Sequence, residues 1–374
     1  MDMKPVRRPG AGNADSSMLR NALDQAADFD DTLRASHAQF ENMVARYIAP
    51  EPYARDALFR RLMSGEPTVM CDVPAPTRGA LAGLPVPDAA AALQAWLLRR
   101  RSKQRYRLYG GKGSRRRYLT LQDAAAAWAR DTSVFGVADL HIRDTSMEEI
   151  IDPDALAPFN LLTASTPDVQ RQEMYSLVIS TRGYVTDSHS DAPDSTNYCF
   201  TGRKLWIAWE TQEGLRHGLE DVEHVKVKGR ARFDLQSWMK LPSARWFLVG
   251  PGQTLFFPAH LSHKVVTLDR YLGVGGFFFC LPGAFRLLSH WILKEPLWLK
   301  DDGAGENEQL VAEISETALT KLRQSGGPSA SDGTWGQDFL RRAAEDFVKT
   351  CPPTDLAKLQ ADRRFAPLLA AASR

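Results

Sequence analysis

Residues 177–209 read LVISTRGYVTDSHSDAPDSTNYCFTGRKLWIAW and contain the only His-x-Asp of the chain, His189 and Asp191. The apolar run before this pair is rich in β-branched residues, which predicts a strand. Alternate residues of a strand point to one face, so the imidazole and the carboxylate can converge on one metal ion. Two ligands do not complete a site, and the third must come from elsewhere in the chain.

The best source of a third ligand is the segment 249–279, VGPGQTLFFPAHLSHKVVTLDRYLGVGGFFF. A turn at 250–252 precedes a predicted strand at 254–257, a break follows at 258–262, and His263 opens a second strand. His260 competes for the role, but it falls within the Pro-led break, so His263 is preferred. Two histidines and a carboxylate form the facial triad that binds Fe(II) and leaves positions open for other ligands.

The order of these motifs resembles the JmjC family of Fe(II)- and 2-oxoglutarate-dependent oxygenases. It is most similar to the branch of histone lysine demethylases that carry plant-homeodomain fingers. The resemblance covers residues 139–279 and rests on three motifs, which are Thr186-Asp187-Ser188-His189-Ser190-Asp191, Gly202-Arg203-Lys204, and the Pro-x-x-x-x-His of Pro258 to His263.

The resemblance implies that His189, Asp191 and His263 bind iron, while Thr186 and Lys204 hold the distal carboxylate of 2-oxoglutarate. O2 would be the further co-substrate. Independently of the resemblance, a lysine that starts the apolar run Leu-Trp-Ile-Ala-Trp is expected to be buried, and a buried ammonium needs an anionic partner. A dicarboxylate co-substrate would supply that partner.

Two departures from the family concern the substrate side. The chain has Gly275-Gly276-Phe277-Phe278 where such demethylases often have Gly-Gly-Asn-Phe, so an aromatic residue replaces a polar one near the co-substrate. The segment between Asp191 and Lys204 is expected to be a loop that faces the substrate, and it carries 192–195 in place of a Gly-Gly.

Composition indicates an ordinary globular protein. The 374 residues are 44% hydrophobic and 25% charged, with a net charge of +2, so global charge favours no particular partner. The four cysteines are scattered singly, which predicts neither a zinc site nor a disulfide framework. No leader-like segment and no run of 18 apolar residues is found, so a cytoplasmic or nuclear location without membrane contact is expected.

The predicted architecture is mainly β with helical flanks. Residues 1–17 are expected to be disordered, 18–130 to form a helical region with a basic hairpin, and 131–282 to form the catalytic domain. At least seven short strands between 174 and 280 favour a double-stranded β-helix, a jelly roll of the cupin type. Residues 283–374 are expected to be helical, with a cap, a dimerisation element or a substrate clamp as possible roles.

Two local features lie within the region before residue 131. A Pro-rich link is expected at 67–87. The only dense basic run spans Arg99 to Arg117 and predicts a hairpin, 105–109 with 117–121, turned at 110–113. A solvated hairpin is the favoured interpretation, and binding of nucleic acid or an acidic protein tail, with tyrosines stacking on bases, is the alternative.

The hypothesis from sequence is a dioxygenase that hydroxylates a C–H bond of a protein, peptide or small amine-bearing substrate and releases succinate and CO2. Histone or protein lysine demethylation through an N-methyl group is the first alternative. A non-catalytic cupin-like binding module is the second. Oxidation of nucleic acid would require the basic run to lie beside the mouth of the barrel.

Overall fold

The computed structural model describes residues 16–100, 103–110, 117–142, 147–156, 160, 174–191, 193–222, 231–259, 261–278 and 351–372, with short pieces between 285 and 349. Within these residues the chain forms two β-sheets flanked by helices. All described strand pairs are antiparallel except the pair of the first two strands.

The larger sheet has nine strands, which are β1 Glu51–Pro52, β2 Thr68–Cys71, β3 Arg105–Gly110, β4 Arg117–Thr120, β5 Phe135–His141, β6 Tyr175–Ser180, β8 Asp194–Thr201, β11 Thr254–Phe257 and β13 Tyr271–Phe278. Their spatial order is β1-β2-β11-β8-β13-β6-β5-β3-β4. The smaller sheet is formed by β7 Val185–Ser190, β9 Lys204–Glu210, β10 Arg245–Val249 and β12 Leu261–Thr267. Its order is β10-β9-β12-β7, so β7 lies at an edge.

Strands β6 to β13 follow a regular plan. Their order within the larger sheet is β11-β8-β13-β6, and within the smaller sheet it is β10-β9-β12-β7. The chain therefore crosses repeatedly from one sheet to the other, and only β9 and β10 are successive neighbours in one sheet. The prediction of at least seven strands in this region is confirmed.

The described helices are α1 Ser16–Phe29, α2 His37–Val44, α3 Arg55–Ser64, α4 Val86–Arg99, α5 Leu121–Arg130, α6 Pro153–Leu156, α7 Thr211–Arg216, α8 Leu235–Met239, α9 Pro353–Ala361 and α10 Ala366–Ala372. Helix α5 begins after Thr120, whose hydroxyl accepts a hydrogen bond from the backbone N–H of Asp123. The predicted hairpin is also confirmed, since β3 pairs with β4.

Because successive side chains of a strand point to opposite faces of its sheet, the buried apolar residues form three layers. In β9, Leu205, Ile207 and Trp209 pack outward with the buried face of α1, whereas Trp206 and Ala208 pack inward with residues of the larger sheet. The opposite faces of β6 and β8 pack against α4 and α5. The space between the sheets is therefore closed from behind by helices on both sides.

Several sequence predictions need correction. The region 18–130 contains two strands besides the predicted hairpin, because β1 and β2 also join the larger sheet. The expected link at 67–87 contains β2, which pairs with β11. Helix α1 begins at Ser16, and the rest of the segment expected to be disordered lies outside the described residues.

Most of the region 283–374 that was expected to be helical falls outside the described residues. The described part ends in α9 and α10, which were not predicted individually. Of the described helices, none is long and apolar enough to cross a membrane. Cys71, Cys199 and Cys351 are free thiols.

Candidate metal centre

His189 and His263 lie directly opposite each other on β7, the edge strand of the smaller sheet, and its neighbour β12. They are register partners between β7 and β12, and their ring centroids are 4.1 Å apart. Asp191 follows β7, with its carboxylate oxygens 4.0 Å from Nε2 of His189 and 3.7 Å from Nε2 of His263. The structure therefore brings the three predicted ligands into one cluster, with one donor atom of each within 4.8 Å of the others.

A β-bulge in β7 sets which side chains face this cluster. His263 pairs with His189 and Val265 pairs with Thr186, so three steps along β7 match two steps along β12. Regular alternation would place Thr186 and His189 on opposite faces, because they are three residues apart. The extra residue of the bulge turns both towards the same cavity, a common use of bulges beside functional sites.

Each imidazole is held by a backbone carbonyl two residues earlier. Nδ1 of His189 lies 2.9 Å from the carbonyl oxygen of Asp187, and Nδ1 of His263 lies 3.4 Å from that of Leu261. A carbonyl oxygen only accepts, so each Nδ1–H donates and each Nε2 is left with a lone pair. This is the outer hydrogen bond that metal-binding histidines usually make, and it directs both Nε2 atoms towards Asp191.

The surroundings of the cluster favour neutral groups over isolated charges. Burial lowers the pKa of His263 well below its usual value, and nearby His189 lowers it further. Burial raises the pKa of Asp191, an effect that His189 opposes. A bound cation would reverse the tendency of Asp191, because it favours a deprotonated carboxylate, and would reinforce that of His263, because it binds a neutral imidazole.

The cluster lines a cavity of about 420 Å³ between the two sheets. Two aromatic rings fix His263 in its wall: Trp206 stacks on the imidazole with centroids 5.3 Å apart, and Phe257 meets it edge-on at 4.6 Å. These rings leave His263 only 2% exposed. The cavity is therefore apolar around a small number of polar groups, as ligand sites commonly are.

Lys204 is the buried cation of this cavity. Gly202 makes the turn that precedes β9 with a φ of +84°, and a Cβ there would lie 2.3 Å from the carbonyl oxygen of Arg270. This turn starts β9 at Lys204, between Val249 of β10 and Thr267 of β12. The glycine of the Gly-x-Lys motif is therefore required by the turn that places Lys204 at the start of β9.

No ion pair or hydrogen bond joins Lys204 Nζ to any residue that the structure describes. The side chain is buried, and its Nζ lies 4.2 Å from the centre of the Tyr271 ring. Burial lowers the pKa of Lys204 to about 8. An ammonium in such a site requires a negative charge that the described protein residues do not supply.

Further polar groups line the same cavity. Thr186 faces it from β7. Two lining residues, Thr196 and Trp206, have buried polar atoms that find no hydrogen-bond partner among the residues that the structure describes. Such orphaned groups are uncommon in folded proteins and indicate a site for a polar ligand.

Sequence reasoning missed several cavity residues, among them Tyr109, His141, Tyr184 and Asn197. They come from three strands of the larger sheet and from the turn before β7, with no shared motif. Nδ1 of His141 lies 3.2 Å from the hydroxyl of Ser176, with which it forms a hydrogen bond. Only sheet pairing, which a single sequence does not give, places these residues beside His189.

The departures from the family motif also border the cavity. Gly275, Gly276 and Phe277 all line it, and a Cβ at Gly275 would lie 2.6 Å from the carbonyl oxygen of Thr196. The expected loop between Asp191 and Lys204 is instead mostly strand β8, which forms a cavity wall, so that prediction was wrong. His260 lies outside the described residues.

A wider groove of about 890 Å³ adjoins the cavity. Four residues line both spaces, which are Tyr109, Tyr184, Thr186 and His189. On the groove wall, Lys264 pairs with Asp30 at 2.7 Å and lies 3.6 Å from Asp187. The groove therefore meets the cavity at His189, beside the cluster.

Comparison with known proteins adds no relative. No family model matches the chain, and no curated protein matches it. The function must therefore be argued from the cavity itself.

Proposed function

We propose that the protein is an Fe(II)- and 2-oxoglutarate-dependent dioxygenase of the JmjC type that hydroxylates a C–H bond of its substrate. The single observation that carries this proposal is the presence, in one cavity, of a His-Asp-His cluster and a buried lysine without a counter-ion. A metal site alone would need no such lysine. A site for a metal and a dicarboxylate needs both.

The strand plan supports a double-stranded β-helix. Strands β6 to β13 are divided four and four between the sheets, with the orders β11-β8-β13-β6 and β10-β9-β12-β7. This division is the one expected of two Greek keys folded into a jelly roll, an architecture in which a cavity lies between the sheets, and it supports the proposal. Fold alone does not define chemistry, and the argument for function rests on the cavity residues.

The donor set fits Fe(II). Metal–ligand bonds of about 2.1 Å keep two donors of one ion within about 4.2 Å of each other. The two separations between Asp191 and the imidazoles, 4.0 and 3.7 Å, lie below this upper limit, and small side-chain movements on binding would bring them to the shorter spacing of neighbouring coordination positions. Two nitrogens and one carboxylate from neighbouring positions leave further coordination positions for a co-substrate.

The far side of the cavity fits 2-oxoglutarate. Lys204 would pair with its distal carboxylate, and the Thr186 hydroxyl would donate to the same group. The Nε1–H of Trp206 and the hydroxyl of Thr196 are further unpartnered groups in the lining. Charge-assisted hydrogen bonds of this kind are about twice as strong as neutral ones.

Fe(II) with 2-oxoglutarate and O2 would supply the oxidation of the C–H bond, with release of succinate and CO2. The residues of the chain would bind the metal ion and the co-substrate and orient them. Asp187 and Leu261 carbonyls hold the imidazoles, Lys204 fixes the co-substrate, and Trp206 and Phe257 keep water from the wall behind His263. On an N-methyl group, hydroxylation would lead to demethylation, whereas on a carbon chain the hydroxyl would remain.

Succinate release tests this proposal. Anaerobically purified protein with Fe(II), ascorbate and 2-oxoglutarate, exposed to oxygen, is expected to form succinate, and the His189→Ala/Asp191→Ala variant is not. His217→Ala serves as the control, because His217 is exposed and lies outside both cavity and groove. Absence of succinate, of iron binding and of 2-oxoglutarate binding in the wild type would favour a non-catalytic binding module.

A further inference from the structure

Strand β3, which belongs to the basic run of the sequence, lies beside the cavity that holds the His-Asp-His cluster. Residues 99–117 contain ten of the chain's 47 Lys and Arg residues and none of its 45 Asp and Glu residues. With a net charge of only +2, the rest of the chain is therefore acidic overall. Strand β3 comes from this run, and its residues 107–110 line the groove that leads to His189.

One face of the β3–β4 hairpin combines cations with aromatic rings. Tyr106 and Leu108 of β3 point to the core, so Arg105, Arg107 and Tyr109 share the opposite face. Tyr118 of β4 is the register partner of Arg107 and is 50% exposed. We call the surface formed by Arg105, Arg107, Tyr109 and Tyr118 the hairpin face.

The cations of this face lack protein counter-ions. Within the part of the chain that the structure describes, neither Arg105 nor Arg107 has an ion pair, and the Arg107 guanidinium lies 4.6 Å from the centre of the Tyr109 ring. The carboxylates of the groove already lie beside other cations. Lys264 faces Asp30 and Asp187, and Arg34 pairs with Asp31.

A line of tyrosines connects the hairpin face with the cavity. Tyr109 pairs across the sheet with Gly136 of β5. A Cβ at Gly136 would lie 2.3 Å from the Tyr184 ring, so the ring occupies the place that a side chain would take. Tyr184 and Tyr109 both line the groove and the cavity. Aromatic and cationic groups therefore continue from exposed Tyr118 to the neighbourhood of His189.

We propose that the hairpin face binds single-stranded nucleic acid and leads it to the mouth of the cavity. Unpaired arginines match phosphates, and tyrosines interleaved with them offer stacking surfaces that bases use and acidic peptides do not. This binding does not depend on the proposed function. The further step, that the bound strand is the substrate, rests on it.

The test is the binding of a fluorescein-labelled single-stranded oligonucleotide of about 15 nucleotides, as DNA and as RNA, measured by fluorescence anisotropy at several salt concentrations. The assay contains neither iron nor 2-oxoglutarate, so its failure is distinct from failure of the proposed function. Arg105→Gln/Arg107→Gln is expected to weaken binding and to reduce the slope of log K against log salt by about 1.4, since each lost phosphate contact removes about 0.7.

Stacking is tested separately with Tyr118→Ala. This exposed substitution is expected to weaken binding by about fivefold or more and to leave the salt slope unchanged. Arg60→Gln/Arg130→Gln removes the same charge at exposed helical positions outside the groove and is expected to leave binding unchanged.

Three results would overturn the proposal. The first is absence of binding at low salt. The second is an equal loss in the hairpin and control variants, which would reduce the interaction to net charge. The third is binding of a poly-glutamate peptide as tightly as the oligonucleotide with no effect of Tyr118→Ala, which would identify an acidic protein as the partner.

Discussion

At the residue scale, Lys204 is expected to destabilise the ligand-free protein and to bind the co-substrate, and these two effects can be measured separately. Burial lowers the pKa of Lys204 from 10.5 to about 8. Below pH 8 the lysine is charged in both the folded and the unfolded state, and folding carries the full penalty of the unpaired ammonium. As the pH rises from 8 to 10.5 the unfolded chain holds more protons, so the penalty shrinks, and above 10.5 it is gone.

We therefore expect Lys204→Met to stabilise the ligand-free protein at pH 7 by up to about 3 kcal/mol and to lose this advantage by pH 11. The same change should weaken 2-oxoglutarate binding by roughly 10- to 150-fold, because a charge-assisted hydrogen bond is lost. Chemical denaturation at both pH values and calorimetric titration with Mn²⁺ in place of Fe(II) measure the two effects.

The exposed lysine variant Lys240→Met is the control, since it removes one ammonium at the end of α8. Lys240→Met should change neither the stability nor the 2-oxoglutarate affinity measurably. Equal 2-oxoglutarate affinity in wild type and Lys204→Met would show that Lys204 does not bind the co-substrate.

At the element scale, helix α1 covers the outer face of the strands that carry His189 and His263. Its buried residues, which include Leu19 and Leu23, belong to the same apolar cluster as Leu205 of β9 and Val266 of β12. Asp30, directly after α1, pairs with Lys264, the neighbour of His263. The helix therefore supports the ligand strand from behind and at its groove side.

Leu23→Ala is expected to lower the free energy of unfolding by about 2–5 kcal/mol, because it leaves a cavity between α1 and the smaller sheet. Met18→Ala in the same helix should cost far less, since Met18 is 41% exposed. Urea unfolding followed by tryptophan fluorescence measures both. Similar losses for the two variants would show that α1 is not packed as described.

The elements also show which parts of the site a single sequence can predict. Local signals identified His189, Asp191 and His263, because a His-x-Asp after a strand and a His after a Pro-led break are short-range patterns. The position of Thr186 in the cavity came only from the resemblance. By strand alternation it would face away from His189, and the β-bulge that reverses this depends on pairing with β12.

Tyr109, Tyr184 and Asn197 were not predicted, since their approach to the cluster depends on the order of strands in two sheets. Strands β1 and β2, which join the larger sheet from before residue 131, were missed for a related reason. Short strands such as β2 have four residues, and their character is decided by the neighbour they pair with.

At the scale of the whole molecule, the site lies between two sheets that are held from outside by separate sets of helices. A metal ion that binds to the cluster and a co-substrate that binds to Lys204 should stabilise the protein, because both bind the folded state and not the unfolded chain. Each ligand adds RT ln(1 + [L]/Kd), which is about 2.7 kcal/mol at a hundredfold excess over Kd.

Mn²⁺ and 2-oxoglutarate together should raise the Tm by more than either alone, and EDTA should return it to the ligand-free value. The His189→Ala/Asp191→Ala variant should show no rise with Mn²⁺. Differential scanning calorimetry measures these shifts. A rise with 2-oxoglutarate that persists in full after removal of metal would place the co-substrate away from the cluster.

The central claim is that one cavity binds Fe(II) through His189, Asp191 and His263 and 2-oxoglutarate through Lys204. Its most direct test is anaerobic visible spectroscopy, because an Fe(II) ion chelated by a 2-oxo acid gives a charge-transfer absorption that neither component gives alone. We expect this band in the wild type, its absence in His189→Ala/Asp191→Ala, and its appearance in Lys204→Met only at much higher 2-oxoglutarate. A wild type that binds iron and 2-oxoglutarate without the band, or a ligand variant that retains it, would contradict the claim.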